Sequence, residues 1–338
     1  MRRKKIGVLM GGLSAEREVS LKTGEAIFST LMERGHDAYR IFVDRDVDLV
    51  LRQARIEVAV LALHGRYGED GCVQGLLEVL GIPYTGSDVM SSALAMNKVK
   101  AKEIFRLRNL PTAPYYTLTR DQIAGPGSLA DGHGSFGFPV VVKPACEGSS
   151  IGVTIARAED ELEAAVEEAL RWGDEVLIER FVEGKEICVG ILNDRPLGAI
   201  EVVPAGGGFY DFTAKYSSRK TEYHFPARLS PERYRGVLET ALSAHRALGC
   251  SGATRVDLIV SEKGNEAILE VNTLPGMTPT SLLPKIAHGA GLSFGDLCEE
   301  ILASAHLSAG GLKRHDRRFI QTSFVGHERR QSNASDPH

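Results

Sequence analysis

The sequence predicts an α/β unit built on a parallel sheet, followed by a longer unit of α+β character. In the first third, short apolar runs alternate with helical periodicity, the pattern of consecutive β-α-β units. From about residue 98 the β-rich runs come in pairs around tight turns, as antiparallel hairpins do. Length agrees, since 338 residues exceed a single hydrophobic core and 43% hydrophobic residues can fill two or three.

The elements follow in order. "KKIGVLM" is a first strand, and Gly11 and Gly12 permit a tight turn into a helix over roughly 19–34. "AYRIFVD" and "VAVLALH" are the next strands, and a helix near 72–80 precedes "GIPYTG". One helical stretch through "SALAMNKVKAKEIFRLR" leads into "LPTAPYYTLT", with a domain boundary near residue 97, and "GPGSLADGHGSFGFP" reads as a loop. "PVVVKPACEGSSIGVTIA" is two β-rich runs around a Gly/Ser loop. A charged helix at about 159–171 and the strand "EVLIERFV" come after it. Ser230 and Pro231 open a helix as N-cap and first helical residue, and Gly249 closes it. "TRVDLIV" and "EAILEVN" then flank the turn "SEKGN". From about Leu307 periodicity gives way to a charge-rich tail, expected to be mobile.

Composition removes several function classes. A net charge of -4 provides no global basic field for nucleic acid, so any phosphate site must be local. No apolar run approaches the roughly 18 residues of a membrane-spanning helix. The basic start "MRRKK" lacks the apolar core and small-residue cleavage site of a secretory signal. Five scattered cysteines without CxxC spacing indicate neither zinc nor a disulfide frame, which suits a reducing, cytoplasmic compartment.

Two motifs carry chemistry. In "VVVKPACEGSSIG" a loop of Gly148, Ser149, Ser150 and Gly152 follows Lys143. Its N–H groups and hydroxyls can ring phosphate oxygens while the lysine supplies charge. The order is unlike a Walker A motif, because the chain turns back as a strand, and alone such a loop is also an ordinary turn. The sharper motif is the last hairpin. Arg255 and Asp257 share one strand face, as do Glu270 and Asn272. A turn at Lys263-Gly264 sets Asp257 opposite Glu270 and Arg255 opposite Asn272. Facing carboxylates repel unless a cation or proton intervenes, and such hard oxygen ligands suit Mg²⁺ beside phosphates. A solvated polar face is the alternative, and a one-residue slip would remove the pairing.

The opening turn raises a different question. "GGLSAEREVS" has the geometry of a nucleotide-binding turn, yet it carries Glu16 and Glu18, which repel phosphate. It also lacks the third glycine of a dinucleotide fold, which disfavours an oxidoreductase. Complementing the helix dipole explains Glu18.

Taken together, Lys143 with "EGSSIG", "VLIERFVEGKE", "FYDFTAKY", "ATRVDLIV" and "ILEVNTLPGMTPTSLLP" resemble the ATP-grasp ligases, within them the D-alanine:D-alanine ligase family. "GGLSAEREVSL", "LHGRYGEDG" and "GIPYTGS" resemble that family's N-terminal domain, and the likeness runs from residue 4 to about 306. It implies an ATP-grasp fold preceded by a parallel α/β domain. Residues 1–97 would bind the first substrate, 98–185 form the central subdomain, 186–306 the C-terminal subdomain, and 307–338 a disordered tail.

What the resemblance implies about residues answers the question of the opening turn, for Glu16 would bind the amino group of the first D-alanine. Lys98, Lys143, Ser150 and Lys215 would hold ATP phosphates, Glu179, Phe181 and Val182 the adenine edge, and Glu186 the ribose. Phe209 and Leu269 would wall the adenine. Asp257, Glu270 and Asn272 would hold two Mg²⁺ ions, with Mn²⁺ as a substitute. His64 would lie near the reacting carboxylate, Ser281 and Leu282 would receive the second substrate's carboxylate, and Arg255 with the Gly276 N–H would stabilise oxyanions. Ser149 and Tyr216 would join Glu16 in a hydrogen-bonded group. The implied activity is ATP-dependent ligation of two D-alanines through an acyl phosphate, for peptidoglycan precursors and cell-wall growth. A D-alanine:D-lactate ligase is the alternative within the family, and a homodimer is implied by resemblance alone.

Overall fold

The fold is that of a computed structural model, which describes residues 4–123, 137–204 and 221–308. β1 (Lys5–Gly11), β2 (Asp37–Val43) and β3 (Val58–Leu61) form a parallel sheet in the order β2-β1-β3. α1 (Arg17–Glu33) and α2 (Val47–Ala54) connect them, and α3 (Cys72–Leu80) follows. The central strand β1 is buried along most of its length, as its unbroken apolar run requires. α1 begins earlier than the periodicity suggests, because Gly11 and Gly12 take positive φ and Ser14 Oγ accepts the Glu16 N–H, leaving Glu16 at the N-cap. The sequence puts His64 at the end of the third strand. β3 instead stops at Leu61, and His64 opens the loop leading to α3.

The helical stretch after Ser87 is broken in two. Asn97 is extended, and its side chain accepts the Lys100 N–H at 3.0 Å, so it ends α4 (Val89–Met96) and caps α5 (Lys98–Leu107). The local side-chain bond overrides an otherwise continuous helical pattern.

β4 (Tyr115–Thr119), α6 (Arg120–Ile123), β5 (Val140–Pro144), β6 (Thr154–Ala156), α7 (Glu159–Leu170) and β7 (Glu175–Arg180) come next. Their strands form an antiparallel sheet in the order β4-β7-β5-β6, with α7 burying Leu162, Ala165, Val166 and Ala169 against it. A second antiparallel sheet has the order β10-β9-β8-β11-β12. It comprises β8 (Lys185–Leu192), β9 (Arg195–Val203), β10 (Glu222–His224), β11 (Ala253–Val260) and β12 (Glu266–Asn272). α8 (Pro231–Ala247) covers it with Val237, Ala241 and Ala244, and is opened by Ser230 as expected.

The last helices, α9 (Leu282–Gly289) and α10 (Phe294–Ala303), return to the beginning of the chain. Met277, Leu283, Leu297 and Ile301 share one core with Ile6, Val8, Ile27 and Leu31. α5 likewise serves two bodies, giving Ala101 and Phe105 to the α8 cluster and Val99 to a cluster with Ala145 and Leu177. The described end of the chain is anchored, since Tyr84 and His306 bridge and the Ser308 N–H donates to Glu78 at 2.8 Å. The tail expected from 307 onward lies, from 309, outside the described residues.

Gly24 marks a close approach of α1 to the sheet, for a Cβ there would sit 2.5 Å from Met10 Cβ. Helix propensity alone favours alanine by roughly 0.5–1 kcal/mol, but overpacking a tight contact costs about 1–3 kcal/mol. Gly24→Ala should therefore destabilise the protein, and a urea midpoint equal to or above that of the wild type would contradict the contact.

Candidate active site

Three adjoining hollows make one cleft. The first, of about 480 Å³, is lined by Ala113, Val141, Ile155, Phe181 and Leu269, with Glu179, Val182 and Glu186 also at its walls. Lys143, Glu186 and Leu269 also line the second, where they meet Lys98, Ser150, Asp257 and Glu270. Glu270 also lines the third, with Glu16, His64, Ser149, Arg255, Asn272, Gly276, Ser281 and Leu282. An apolar slot thus runs through a cationic and carboxylate-rich throat into a polar pocket.

A bulge makes this continuity possible. β11 and β12 pair as the sequence predicts at Arg255↔Asn272 and Asp257↔Glu270, but beyond Asp257 the register shifts and Leu258 faces Ile268. The constant register expected for the hairpin therefore fails at Leu269, the extra residue. In a regular strand Leu269 and Glu270 would point to opposite faces, whereas a bulge re-aims one of them. Both here line the cleft.

Asp257 sits in a tight polar set. Arg255 holds it bidentately through Nε and Nη2 at 2.7 Å each, and Asn272 Nδ2 donates to Asp257 Oδ2 at 3.1 Å. Burial works against the Arg255 charge, yet Asp257 outweighs it and raises the guanidinium pKa well above its usual range. Asn272 uses only Nδ2 in these contacts, also donating to the Arg255 carbonyl at 3.3 Å, so its amide oxygen is not consumed by them. Two facing carboxylates and an amide oxygen are the hard donors magnesium prefers. Among the described residues no group of three or more His, Cys, Asp or Glu is placed to hold a metal ion, so this set rests on two carboxylates and one amide.

Both expected lysines among the described residues line the throat, and each has partners that the sequence does not reveal. Lys143 is engaged by the buried Glu179 carboxylate, which Lys102 holds from the other side at 2.8 Å. Burial opposes ionisation of Glu179, but the two lysines prevail and hold its pKa at about 2. The Glu179 side chain is therefore a lysine clamp at the edge of the apolar slot. Lys98 points at the throat, donating to the Glu147 carbonyl and lying 3.6 Å from Glu270.

The phosphate loop closes against the opening turn of the chain. Ser149 and Ser150 both take left-handed φ, of 49° and 59°, an arrangement that curls backbone N–H groups toward a common centre. Ser149 Oγ donates to Glu16, and a Cβ on Gly148 would come 2.8 Å from Glu16 Oε2. A side chain there would push the carboxylate aside. Glu16 is 7% exposed, whereas Glu18 is exposed in the first turn of α1, in keeping with a dipole role.

At the polar end, His64 is buried with Nε2 3.2 Å from Thr23 Oγ1. Burial first, and the Arg255 charge second, push its pKa down to about 4. Ser281 stands at the N-cap position of α9 without a side-chain cap, its Oγ accepting the Thr278 N–H at 3.1 Å instead, and the start of α9 at Leu282 borders a pocket that can take a carboxylate. A Cβ on Gly276 would stand 2.9 Å from Ser281 Oγ, which keeps that backbone bare.

The chain is similar to known proteins in sequence and in fold. The family profile described as D-ala D-ala ligase C-terminus matches residues 104–303, and that of the D-ala D-ala ligase N-terminus matches 46–87. The chain belongs to the D-alanine–D-alanine ligase family. The D-alanine–D-alanine ligase of Geotalea uraniireducens is 57% identical over 91% of this chain and 97% of the relative. That of Geobacter sulfurreducens is 56% identical over 91% and 96%. A crystal structure of the Bacillus anthracis ligase superposes with a TM-score of 0.80 at 39% identity, covering 89% of this chain and 97% of that one. The same enzyme complexed with ATP superposes at 0.77 and 36% identity, over 89% and 97%. This ligase family is an ATP-grasp family, so the expected fold class holds.

Two groups of this ligase cleft escape sequence reasoning. Lys102 looks like any helix lysine, and only its 1% exposure beside Glu179 and Thr112 reveals its part. Glu69 lies in "GEDG" with no pattern to single it out. Its Oε2 accepts the Gly65 N–H at 2.7 Å in the pocket that holds Glu16. Burial, then the Glu16 charge, push its pKa up to about 8. Phe209, Lys215 and Tyr216 lie outside the described residues.

His64 provides a direct check. Its folded pKa near 4 lies below the ordinary 6.5, so the unfolded chain takes up a proton at higher pH than the folded one. Stability should fall as pH drops through that window. The His64 ring resonances should not titrate between pH 8 and 5, and His64→Gln should flatten the loss of stability below pH 6.5. A midpoint near 6.5 in the folded protein would overturn the assignment.

Proposed function

We propose that this chain joins two D-alanine molecules at the expense of ATP, forming D-alanyl-D-alanine, ADP and phosphate for peptidoglycan synthesis. The continuity of the cleft carries the reading. An apolar slot suited to a purine runs into a throat of lysines and carboxylates, and that throat opens on a pocket where Glu16 awaits an ammonium group.

Each body has a part. Residues 1–97 take the first amino acid, 98–185 bring the phosphate loop, and 186–306 bring the carboxylate set. Phe181, Val182 and Leu269 flank adenine, Glu186 takes ribose hydroxyls, and Lys98, Lys143, Ser150 and Lys215 meet phosphates. In this scheme phosphate oxygens share Lys143 with Glu179, which aims that ammonium into the throat.

Asp257, Glu270 and Asn272 would hold magnesium, which supplies charge neutralisation for the phosphates when bound. A carboxylate oxygen of the first D-alanine attacks the γ-phosphorus, and the bond to the ADP oxygen breaks. The second D-alanine, its carboxylate at the α9 N-terminus, loses its ammonium proton and attacks the acyl carbon. Phosphate then leaves with the bonding pair. Arg255 and the Gly276 N–H face the oxygens on which negative charge accumulates. Glu16 and Ser149 fix the first substrate, with Tyr216 joining them.

A cytoplasmic homodimer belongs to the same proposal by family likeness. Among the described residues no helix is long and apolar enough to cross a membrane.

ADP release should depend on D-alanine and not occur with L-alanine, while D-serine and D-lactate report acceptor choice. No D-alanine-dependent ADP would remove the proposal. Asp257→Asn or Glu270→Gln should lower kcat on the order of a hundredfold or more with folding intact, as lost charge stabilisation dictates. Glu16→Gln should raise KM for D-alanine roughly tenfold or more, the scale of a lost charged hydrogen bond, and leave KM for ATP nearly unchanged. Unchanged kinetics for D-alanine would return Glu16 to a helix-dipole role.

A further inference from the structure

The loop of residues 64–71, between β3 and α3, reaches three places at once. His64 and Glu69 line the substrate pocket, and a Cβ on Gly65 would come 2.8 Å from Glu16 Oε2. Arg66, between them, leaves the pocket and crosses to the central subdomain. Its Nε donates to Glu147 Oε1 at 2.6 Å and its Nη2 to the Trp172 carbonyl. The two acceptors bracket the phosphate loop. Glu147 stands at its start, and the Trp172 ring backs its end, where a Cβ on Gly152 would come 2.7 Å from Trp172 Cδ1.

Glu147 is also where the loop meets the throat, because its carbonyl accepts from Lys98. One residue further on, Gly148 and Ser149 contact Glu16. The first-substrate site is therefore joined to the phosphate loop at two successive points, Glu147 through Arg66 and Ser149 through Glu16.

Arg66 is half-exposed, at 50%, while Glu147 is 11% exposed. An ion pair with one exposed arm adds little to global stability. Its geometry nevertheless restricts where the loop can sit, since a guanidinium that grips two acceptors fixes direction as well as distance.

Given the ligase reading above, we propose that Arg66 is a positioning residue that couples the first amino-acid site to the nucleotide site. It makes the seating of the phosphate loop depend on the loop that lines the substrate pocket. When D-alanine settles against Glu16 and His64, the 64–71 loop is held. Arg66 then holds Glu147 and the Trp172 turn, and the nucleotide meets a loop already in place. Linkage makes the effect reciprocal, so nucleotide also tightens the amino-acid site. Arg66 itself lines none of the three hollows of the cleft.

The test measures binding of a non-hydrolysable ATP analogue by calorimetry, with and without saturating D-alanine, in wild type, Arg66→Ala, Arg66→Lys and Glu147→Gln. Wild type should bind the analogue at least about fivefold more tightly with D-alanine present, within the usual range of coupling between sites. Arg66→Ala and Glu147→Gln should each lose most of that gain, and Arg66→Lys should recover part of it. Affinity without D-alanine should change by less than about twofold, and Tm by no more than a few degrees. The double variant Arg66→Ala/Glu147→Gln should be no worse than either single one, because both remove the same link. Equal gains in wild type and Arg66→Ala would overturn the proposal, as would a wild type in which D-alanine leaves analogue affinity unchanged. D-alanine-dependent ADP formation by the wild type, assayed in parallel, separates that failure from failure of the ligase reading.

Discussion

The pairing of β11 with β12 is the constraint on which the cleft depends. It brings Arg255 opposite Asn272 and Asp257 opposite Glu270, and a slip of β12 by one residue would send Glu270 and Asn272 to the other face, away from Arg255 and Asp257. Two carboxylates held this close are tolerable only with compensating charge. Arg255 grips Asp257 bidentately and Lys98 approaches Glu270, so the strands can stay in register without an added ion. The same arrangement leaves oxygen donors directed at the place where phosphates would lie.

Compensation of this kind extends along the cleft. Glu179 would be costly to bury alone, and Lys102 and Lys143 together keep it ionised. Glu16 accepts from Ser149, while its neighbour Glu69 retains a proton at neutral pH because burial and the Glu16 charge both oppose ionisation. The polar end therefore sets the Glu16 carboxylate, held by Ser149, beside a Glu69 carboxyl that is neutral. An ammonium group is the natural complement of that pocket, and a phosphate is not.

Architecture explains how bodies remote in sequence meet there. α9 and α10 pack into the core of the N-terminal sheet, which carries the Gly276 to Leu282 segment up to Glu16 and His64. α5 packs against both antiparallel sheets and delivers Lys98 and Lys102 to the cleft between them. The central subdomain makes polar contacts with the N-terminal one through Arg66–Glu147 and Glu16–Ser149. Such contacts are cheaper to break than a shared apolar core.

Periodicity and turn chemistry determined, by themselves, that a parallel α/β unit precedes a longer unit of antiparallel α+β character, since apolar spacing and Gly, Pro and Asn signals act over a few residues. The hairpin was legible from its turn "SEKGN", but the register beside the turn is one residue from the expected one, with Val260 facing Glu266, and it is the bulge at Leu269 that brings Asp257 opposite Glu270. The odd charge of the opening turn was legible too, as a carboxylate where phosphate would be repelled. Tertiary structure alone decided the bulge at Leu269, which depends on how β12 meets β11 and not on any residue that favours bulges. It alone decided that Lys102 is buried, that Lys143 is held by Glu179, and that Glu69 keeps its proton. Those properties are set by burial and by charges brought from distant segments, and a sequence pattern carries no record of either.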